Sequence, residues 1–322
     1  MNFKLSRRNF IKALGVGASS AVLPSTFAAA AQGEELATLL DLSKCVGCES
    51  CVYACKDVNS KKFPEPQKPF PQMYPSRVPV QDWSDRREVA DRLTPYNWLY
   101  IQRSQVEYEG KSWQINIPRR CLHCQNPPCA NLCPWGAARK QDNGIVRIDA
   151  NICLGGSKCK KVCPWHIPQR QTGVGLYLDL LPSFAGNGVM YKCDRCYDRI
   201  AEGKLPACIE ACPYDVQTIG PRTEIIQKAH QLAEDMPGFI YGEQENGGTN
   251  TLYVSPVPFD VLNNAIEKGP GQPDLKKHQD MLSSETNLAK AMLIAPVAGI
   301  AAGALHAIRL SKSANTEEDS HE

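Results

Sequence analysis

The sequence CVGCESCVYAC at residues 45–55 brings four cysteines within eleven residues. Three variants of this group follow along the chain: CLHCQNPPCANLC at 121–133, CLGGSKCKKVC at 153–163 and CDRCYDRIAEGKLPACIEAC at 193–212. Together the four groups contain all 15 cysteines of the chain, and three of them end in Cys-Pro. The chain therefore carries an internal repeat built around cysteine.

The length and charge of the chain exclude several classes of function. Its 322 residues leave room for about two domains of roughly 150 residues each. Lys and Arg number 36 against 34 Asp and Glu, which gives a formal net charge of +2. Such a balance argues against a nucleic-acid partner held by a basic field and against a disordered polyelectrolyte.

The spacing of the cysteines is typical of iron-sulfur clusters. In the bacterial ferredoxin pattern, three cysteines lie a few residues apart, and a fourth, followed by proline, binds the neighbouring cluster. Gly47 allows the backbone to approach cluster sulfur, and the prolines predict that each fourth cysteine begins a helix. Disulfide bridges would leave one cysteine over, and zinc sites would need four ligands from groups without zinc-ribbon spacing. We therefore predict iron-sulfur clusters; the alternative is a structural zinc or disulfide protein that serves only as an anchor.

The third group departs from the repeat. In register with the other groups, Gly156 stands where the second cysteine is expected. Because glycine has no side chain that binds iron, this site has one thiolate fewer. The 15 cysteines thus predict three 4Fe-4S clusters and one 3Fe-4S cluster. Alternatively, a 4Fe-4S cluster at this site takes water, Ser157 or Lys158 as its fourth ligand.

Two segments outside the cysteine groups predict export and membrane attachment. Residues 1–31 combine a basic start that contains Arg7-Arg8 with an apolar run, as in twin-arginine signal peptides, which direct the export of folded, cofactor-loaded proteins. Residues 288–310 are long and apolar enough to form a transmembrane helix. We therefore expect a body on the periplasmic side of the inner membrane, anchored by a C-terminal transmembrane helix. A buried alanine-rich core helix is the alternative for this segment.

The sequence resembles the four-cluster ferredoxin-like electron-transfer (beta) subunits of membrane-bound oxidoreductases, as in formate dehydrogenase, nitrate reductase, dimethyl-sulfoxide reductase and hydrogenase-2. The resemblance is carried by the four cysteine groups, the leader, the insert between Cys55 and Cys121, residues 241–254 and the anchor. It is strongest to the iron-sulfur subunits of periplasmic nickel-iron hydrogenases of the hydrogenase-2 type. It implies an α+β fold of two pseudo-symmetric bacterial-type ferredoxin modules with inserts, plus the C-terminal transmembrane helix.

The resemblance also implies how the cysteines combine, because in that family the first group pairs with the fourth and the second with the third. One module would hold 4Fe-4S clusters on set A (Cys45, Cys48, Cys51, Cys212) and set B (Cys193, Cys196, Cys208, Cys55). The other would hold a 4Fe-4S cluster on set C (Cys121, Cys124, Cys129, Cys163) and the 3Fe-4S cluster on set D (Cys133, Cys153, Cys159). By analogy with nitrate reductase, set D would be the distal site, nearest the membrane.

The remaining segments are interpreted from their composition. Alternating residues predict two strands, at 97–102 and 112–117, joined near Glu109-Gly110. They lie within an aromatic insert that either docks a partner or packs over the clusters. Residues 173–189 are a second candidate contact surface, and 223–233 predict an amphipathic helix. The predicted domains are 1–31 signal peptide, 32–120 first motif and docking insert, 121–190 second ferredoxin module, 191–255 fourth motif, 256–287 linker, 288–310 anchor and 311–322 tail.

Several side chains beside the cysteines invite a functional role. His123 and His166 are expected to form local hydrogen bonds rather than to bind metal. Six lysines near the groups raise cluster potentials by their charge or else form a solvated face: Lys44, Lys56, Lys158, Lys160, Lys161 and Lys192.

These patterns predict a non-catalytic subunit that passes electrons between a periplasmic catalytic subunit and an integral-membrane, quinone-reactive partner. The resemblance favours the small and large subunits of a nickel-iron hydrogenase as the catalytic partner. The alternative is the beta subunit of a formate dehydrogenase or another molybdopterin oxidoreductase.

Overall fold

A computed structural model describes residues 34–283. The predicted signal peptide, transmembrane helix and tail lie outside the described residues. Within the described part of the chain, no helix is both long and apolar enough to cross a membrane. The described residues up to Gln279 belong to one compact unit, and those from Asp280 belong to a second.

The strands are short, apart from one hairpin. They are β1 (Leu36–Asp41), β2 (Tyr100–Tyr108), β3 (Lys111–Arg119), β4 (Ala138–Lys140), β5 (Val146–Ile148), β6 (Gln169–Gln171), β7 (Val189–Tyr191), β8 (Gln217–Pro221), β9 (Phe239–Tyr241) and β10 (Thr251–Ser255). The helices are α1 (Ser50–Asn59), α2 (Pro128–Asn131), α3 (Lys158–Val162), α4 (Tyr177–Leu180), α5 (Tyr197–Ala201), α6 (Ala207–Glu210), α7 (Arg222–Asp235) and α8 (Phe259–Ala265). The mixed content agrees with the predicted α+β class.

A four-stranded sheet organises the core. Its strand order is β8-β1-β10-β9, with β1 parallel to β10 and the outer strands antiparallel to their neighbours. All six residues of β1 are buried, because both faces of the sheet are covered. Helix α7 covers one face by packing Ile225 and Ala229 against Leu39 and Leu252. The predicted amphipathic helix at 223–233 is thus confirmed.

The hairpin of β2 and β3 covers the other face, where Ile117 packs in one core with Leu40 and Tyr253. The predicted strands and their junction at Glu109-Gly110 are confirmed, although β2 begins at Tyr100 rather than at residue 97. The difference has a local cause, because the backbones of Thr94 and Asn97 bond to each other in a tight turn before the strand.

The prediction that each Cys-Pro begins a helix is wrong. Helices α2, α3 and α6 instead end just before the last cysteine of their group, and a turn follows. The physical reason is that the Cδ atom of proline disfavours helical backbone at the preceding residue. Each proline therefore marks a helix end and not a helix start.

The insert after the first group lies along residues 170–172 of the second module. The backbone N–H of Trp83 donates to Oε1 of Gln171 at 2.8 Å, and the Arg170 guanidinium donates to the carbonyl of Pro79 at 2.6 Å. Trp98 is buried in one cluster with Cys51 and its ring stacks near Tyr191. For Trp98, at least, the aromatic insert packs over the cysteines.

Asp82 ties the insert to the second module. Its carboxylate accepts hydrogen bonds from Gln171 Nε2 and the backbone N–H of Ser84, each at 2.9 Å, and Lys68 Nζ lies 2.9 Å away. Burial raises the pKa of this carboxyl, but these donors outweigh burial and hold the pKa well below its usual range. The contribution of these bonds to stability is thus complete at neutral pH and falls progressively as pH drops below about 4, the unfolded pKa of aspartate.

We expect Asp82→Asn to raise the equilibrium constant for opening of the insert about fivefold at pH 7, since about 1 kcal/mol of hydrogen bonding is lost. Hydrogen exchange of amides in residues 63–85 measures this. Asp85→Asn is the matched control, because Asp85 contacts the same Lys68 but its side chain is 81% exposed. Equal exchange in the two variants at pH 7 would contradict the prediction. So would a difference in exchange that persists at a pH low enough to protonate Asp82.

Candidate iron-sulfur sites

Three cavities are each lined by four cysteines that come from two different groups. Their linings contain set A, set B and set C, the combinations implied by the family resemblance. The cavities are similar in size, with about 310 to 360 Å³ of empty space. Three sites of like size and like lining are consistent with one repeated kind of bound group.

The three cysteines of set D also lie near one another, but no fourth thiol completes this set. The thiol of Cys153 lies within electrostatic range of Cys133, and Cys159 lies within range of both. Gly156 is exposed, and a Cβ added there would meet no described atom within 4 Å. The Ser157 hydroxyl lies 3.4 Å from the carbonyl of Gly155 and from the Met190 sulfur.

All 15 cysteines lie within residues 34–283 and all are free thiols. In that same range, no three His, Cys, Asp or Glu side chains are grouped so tightly that they could hold a single metal ion.

The four sets follow one another in a line. At each junction at least one pair of thiols lies within electrostatic range, such as Cys51 and Cys208 between sets A and B, Cys193 and Cys121 between B and C, and Cys129 and Cys159 between C and D. At the two ends of the line, Cys48 of set A is exposed and Cys133 of set D is half-buried. The order is therefore A-B-C-D, with both end sets reaching the surface.

One backbone feature recurs in every group, at the second residue after the first cysteine. This residue has a left-handed backbone in all four groups: Gly47 (φ 72°), His123 (φ 51°), Gly155 (φ 66°) and Arg195 (φ 55°). The turn lets backbone N–H groups point inward, and the N–H of Arg195 lies 3.3 Å from Cys193 Sγ. Glycine marks two of these turns in the sequence, whereas His123 and Arg195 give no such signal.

Backbone N–H groups also bond to other cysteine sulfurs. Gly47 donates to Cys45, Ala207 to Cys196, and Trp165 and Ile167 to Cys163. Hydrogen bonds to the sulfurs help to set the potentials of iron-sulfur clusters. This donor pattern fits the predicted group.

Burial raises the pKa of the Cys51, Cys129 and Cys193 thiols to about 12. Neighbouring thiols add to the effect, as Cys208 does beside Cys51. Thiols placed in this way cannot all ionise unless a cation compensates their charge, and the thiolate is the form that binds metal. Iron supplies that charge, so the electrostatics of the cavities also fits iron-sulfur clusters.

Several buried cations lie among the sets, Arg195 included, and two of them, Arg120 and Lys192, directly precede the first cysteine of their group. Arg120 Nη1 donates to Cys208 Sγ at 2.8 Å and to Gln217 Oε1 at 2.6 Å. Lys192 Nζ donates to the carbonyls of Val146 and Cys193. Burial lowers the pKa of each cation, but the surrounding thiols outweigh burial and leave both pKa values raised.

The sequence interpretation missed Arg120 altogether and grouped Lys192 with five other lysines. Lys192 is 6% exposed, so a solvated face does not describe it. Lys44, Lys158 and Lys161 are exposed, as that alternative expects. The basic residue directly before a first cysteine is the signal that Arg120 and Lys192 share.

Both histidines form the local hydrogen bonds that were predicted. His123 Nδ1 accepts from the backbone N–H of Val146 at 3.0 Å, and His166 Nδ1 lies 3.0 Å from the carbonyl of Lys160. Burial, together with Arg195 and other cations, holds the pKa of His123 well below its usual value, so the ring is neutral. Its buried Nε2 has no hydrogen-bond partner among the described residues, and a donor there fits an acceptor such as cluster sulfide.

The fold and the cysteine sets define a ferredoxin-like iron-sulfur protein with mixed helix and strand content. Residues 41–137 and residues 112–222 each match a family described as "4Fe-4S dicluster domain". The chain belongs to this family of iron-sulfur proteins. Two such domains and 15 cysteines support several 4Fe-4S clusters.

Named relatives are subunits or operon products of oxidoreductases. The chain is 30% identical to the hydrogenase-2 operon protein HybA of Escherichia coli O157:H7, over 80% of this chain and 83% of HybA. It is 33% identical to the B subunit of the anaerobic dimethyl sulfoxide reductase of Escherichia coli K12, over 62% of this chain and 79% of that subunit. It is also 30% identical to the iron-sulfur subunit of the nitrate-inducible formate dehydrogenase of the same strain, over 68% of both proteins.

Substitution of Gly47 tests whether the left-handed turn of set A requires glycine. A Cβ at this position would lie 2.8 Å from Asn116 Oδ1, and the Asn116 amide bonds to the carbonyl of Cys45 at 2.9 Å. We expect Gly47→Ala to lower the iron content and the thermal midpoint of the purified protein. Gly110→Ala is the matched control, because Gly110 has φ of 71° but a Cβ there meets no described atom within 4 Å.

Both variants bear the cost of about 1 kcal/mol for left-handed backbone, so the difference between them isolates the clash beside Cys45. Equal iron content in the two variants would show that the turn of set A has room for a side chain.

Proposed function

We propose that this chain is a non-catalytic electron-transfer subunit that relays electrons through three 4Fe-4S clusters and one 3Fe-4S cluster. The observation that carries the proposal is the line of four cysteine sets, in which each set lies within electrostatic range of the next. The clusters supply the redox chemistry, whereas the protein provides their spacing and surroundings. Passing an electron along the line oxidises one site and reduces its neighbour, with no bond to break and no proton to move.

In this proposal, sets A, B and C each hold a 4Fe-4S cluster through four thiolates. Set D holds the 3Fe-4S cluster through Cys133, Cys153 and Cys159. Support comes from the three four-cysteine cavities and from Gly156, which occupies the position of the absent fourth thiol.

Exposed apolar side chains beside both ends of the line support two docking partners. Val46 and Tyr214 line the cavity of set A and are 57% and 51% exposed, and Trp135, close to Cys133 of set D, is 59% exposed. Large exposed apolar side chains beside a functional site are typical of contact surfaces. We assign a periplasmic catalytic subunit to the set A end and an integral-membrane, quinone-reactive subunit to the set D end.

The identity with HybA supports a hydrogenase as the catalytic partner. The basic, apolar leader at 1–31 and the apolar segment at 288–310 support twin-arginine export and a C-terminal anchor on the periplasmic side of the inner membrane. The second candidate is the beta subunit of a molybdopterin oxidoreductase, which the 33% identity to the dimethyl sulfoxide reductase B subunit favours.

The electron donor distinguishes the two candidates. Inner-membrane vesicles that contain the full-length chain are exposed to hydrogen gas or to sodium formate, and cluster reduction is followed by electron paramagnetic resonance. We expect hydrogen to reduce the clusters and formate to leave them oxidised. Vesicles from a strain without this chain are the control. Reduction by formate alone would replace the hydrogenase assignment by the molybdopterin one, and zinc in place of iron would overturn the relay itself.

The fourth site is tested at Gly156. The oxidised, unsubstituted protein is expected to show a 3Fe-4S signal and to contain one iron fewer than four complete 4Fe-4S clusters. Gly156→Cys should abolish that signal and add one iron, since the position has room for a side chain. Gly156→Ala is the matched control and should retain the signal. A protein whose iron content and signals are the same with glycine and with cysteine would contradict the assignment.

A further inference from the structure

The residue directly before the first cysteine differs among the four groups in a way that follows their position in the line. These residues are Lys44, Arg120, Ile152 and Lys192. Arg120 and Lys192 precede the first cysteines of the groups that contribute to the inner sets C and B. Both are buried cations, with 5% and 6% of the residue surface exposed. Lys44 has an exposed side chain and pairs with Asp41 at 3.1 Å, so water and a carboxylate screen its charge.

Arg120 lies at the junction of sets A and B. Its guanidinium lines the cavity of set B and bonds to Cys208 at 2.8 Å. The same guanidinium also lies within electrostatic range of Cys51, which belongs to set A. One permanent positive charge thus faces thiols of two successive sites.

Lys192 has the same relation to sets B and C. It lines the cavity of set C and lies within electrostatic range of Cys121 and Cys129. Its ammonium group also bonds to the carbonyl of Cys193 in set B at 3.2 Å. Set B therefore has a buried cation on each side.

We propose that Arg120 and Lys192 are potential-setting residues that each raise the reduction potentials of the two clusters flanking them. The proposal rests on the electron-relay function argued above. Reduction adds one negative charge to a site, and a buried cation stabilises that charge strongly because little water screens it. Because each cation faces two sites, it stabilises the electron on either side of its junction.

The test is a redox titration, monitored by electron paramagnetic resonance, of the full-length protein purified under argon with its accompanying subunits. Arg120→Gln should change the ratio of oxidised to reduced cluster at fixed potential at least tenfold for two of the 4Fe-4S clusters, a downward shift of about 59 mV. Lys192→Gln should shift two clusters in the same direction, and one of them is the cluster of set B. The set D signal should stay unchanged and acts as the internal reference. Lys44→Gln is the matched control and should shift none.

A second variant neutralises the charge with a nearby carboxylate and retains the arginine. Gln217→Glu places a carboxylate against the Arg120 guanidinium, where Oε1 of Gln217 already accepts at 2.6 Å. Glutamate has nearly the same shape as glutamine, so this variant still tests the role of the Arg120 charge if Arg120→Gln fails to fold. Gln217→Glu should lower the same two reduction potentials as Arg120→Gln. Arg120→Lys retains the positive charge and should have the potentials of the unsubstituted protein.

Potentials that are unchanged in Gln217→Glu with all clusters assembled would overturn the inference, and so would an equal shift of all four clusters. If the unsubstituted protein contained no iron and no acid-labile sulfide, the proposed relay would fail instead, and the two failures are thus distinct.

Discussion

Burial of thiolate charge is the constraint on which the rest of this structure depends. Ten of the 15 cysteines are buried, and those whose pKa values rise to about 12 do so first of all because water is excluded. A fold that encloses so many acidic groups needs compensating charge and hydrogen-bond donors at every site. Iron, the inward backbone N–H groups and the buried cations are the three means by which this chain would meet that need.

The backbone solves the same local problem four times. A left-handed residue two positions after the first cysteine turns the chain around each set, and the side chain at that position adapts to its surroundings. At Arg195 the side chain bonds to the carbonyls of Leu36 and Asn250, which ties the fourth group to the central sheet. Glycine is therefore required only where another residue lies close, as Asn116 does beside Gly47.

Much of the fold was predictable because the relevant signals are local. The hairpin followed from alternating residues around Glu109-Gly110, and α7 followed from its apolar periodicity. The Cys-Pro prediction failed because the constraint of proline on the preceding residue outweighed its preference for a first helical turn. The role of Arg120 and the path of the insert along Gln171 were not predictable, since both depend on contacts between residues far apart in the chain.

The position of Gly156 is consistent with the pattern of burial along the line of sets. Set D stands at the end of the line, and Gly156 is exposed, so the absence of a thiol there leaves no buried void. The same loss at Cys55 or Cys124, both buried, would open a cavity in the core. Ile152 also takes the position that a buried cation holds before the inner groups. Set D instead has cations from later in its group and beyond it, since Arg170 Nη1 donates to the carbonyl of Gly155 at 3.1 Å and Lys160 lies within electrostatic range of Cys159.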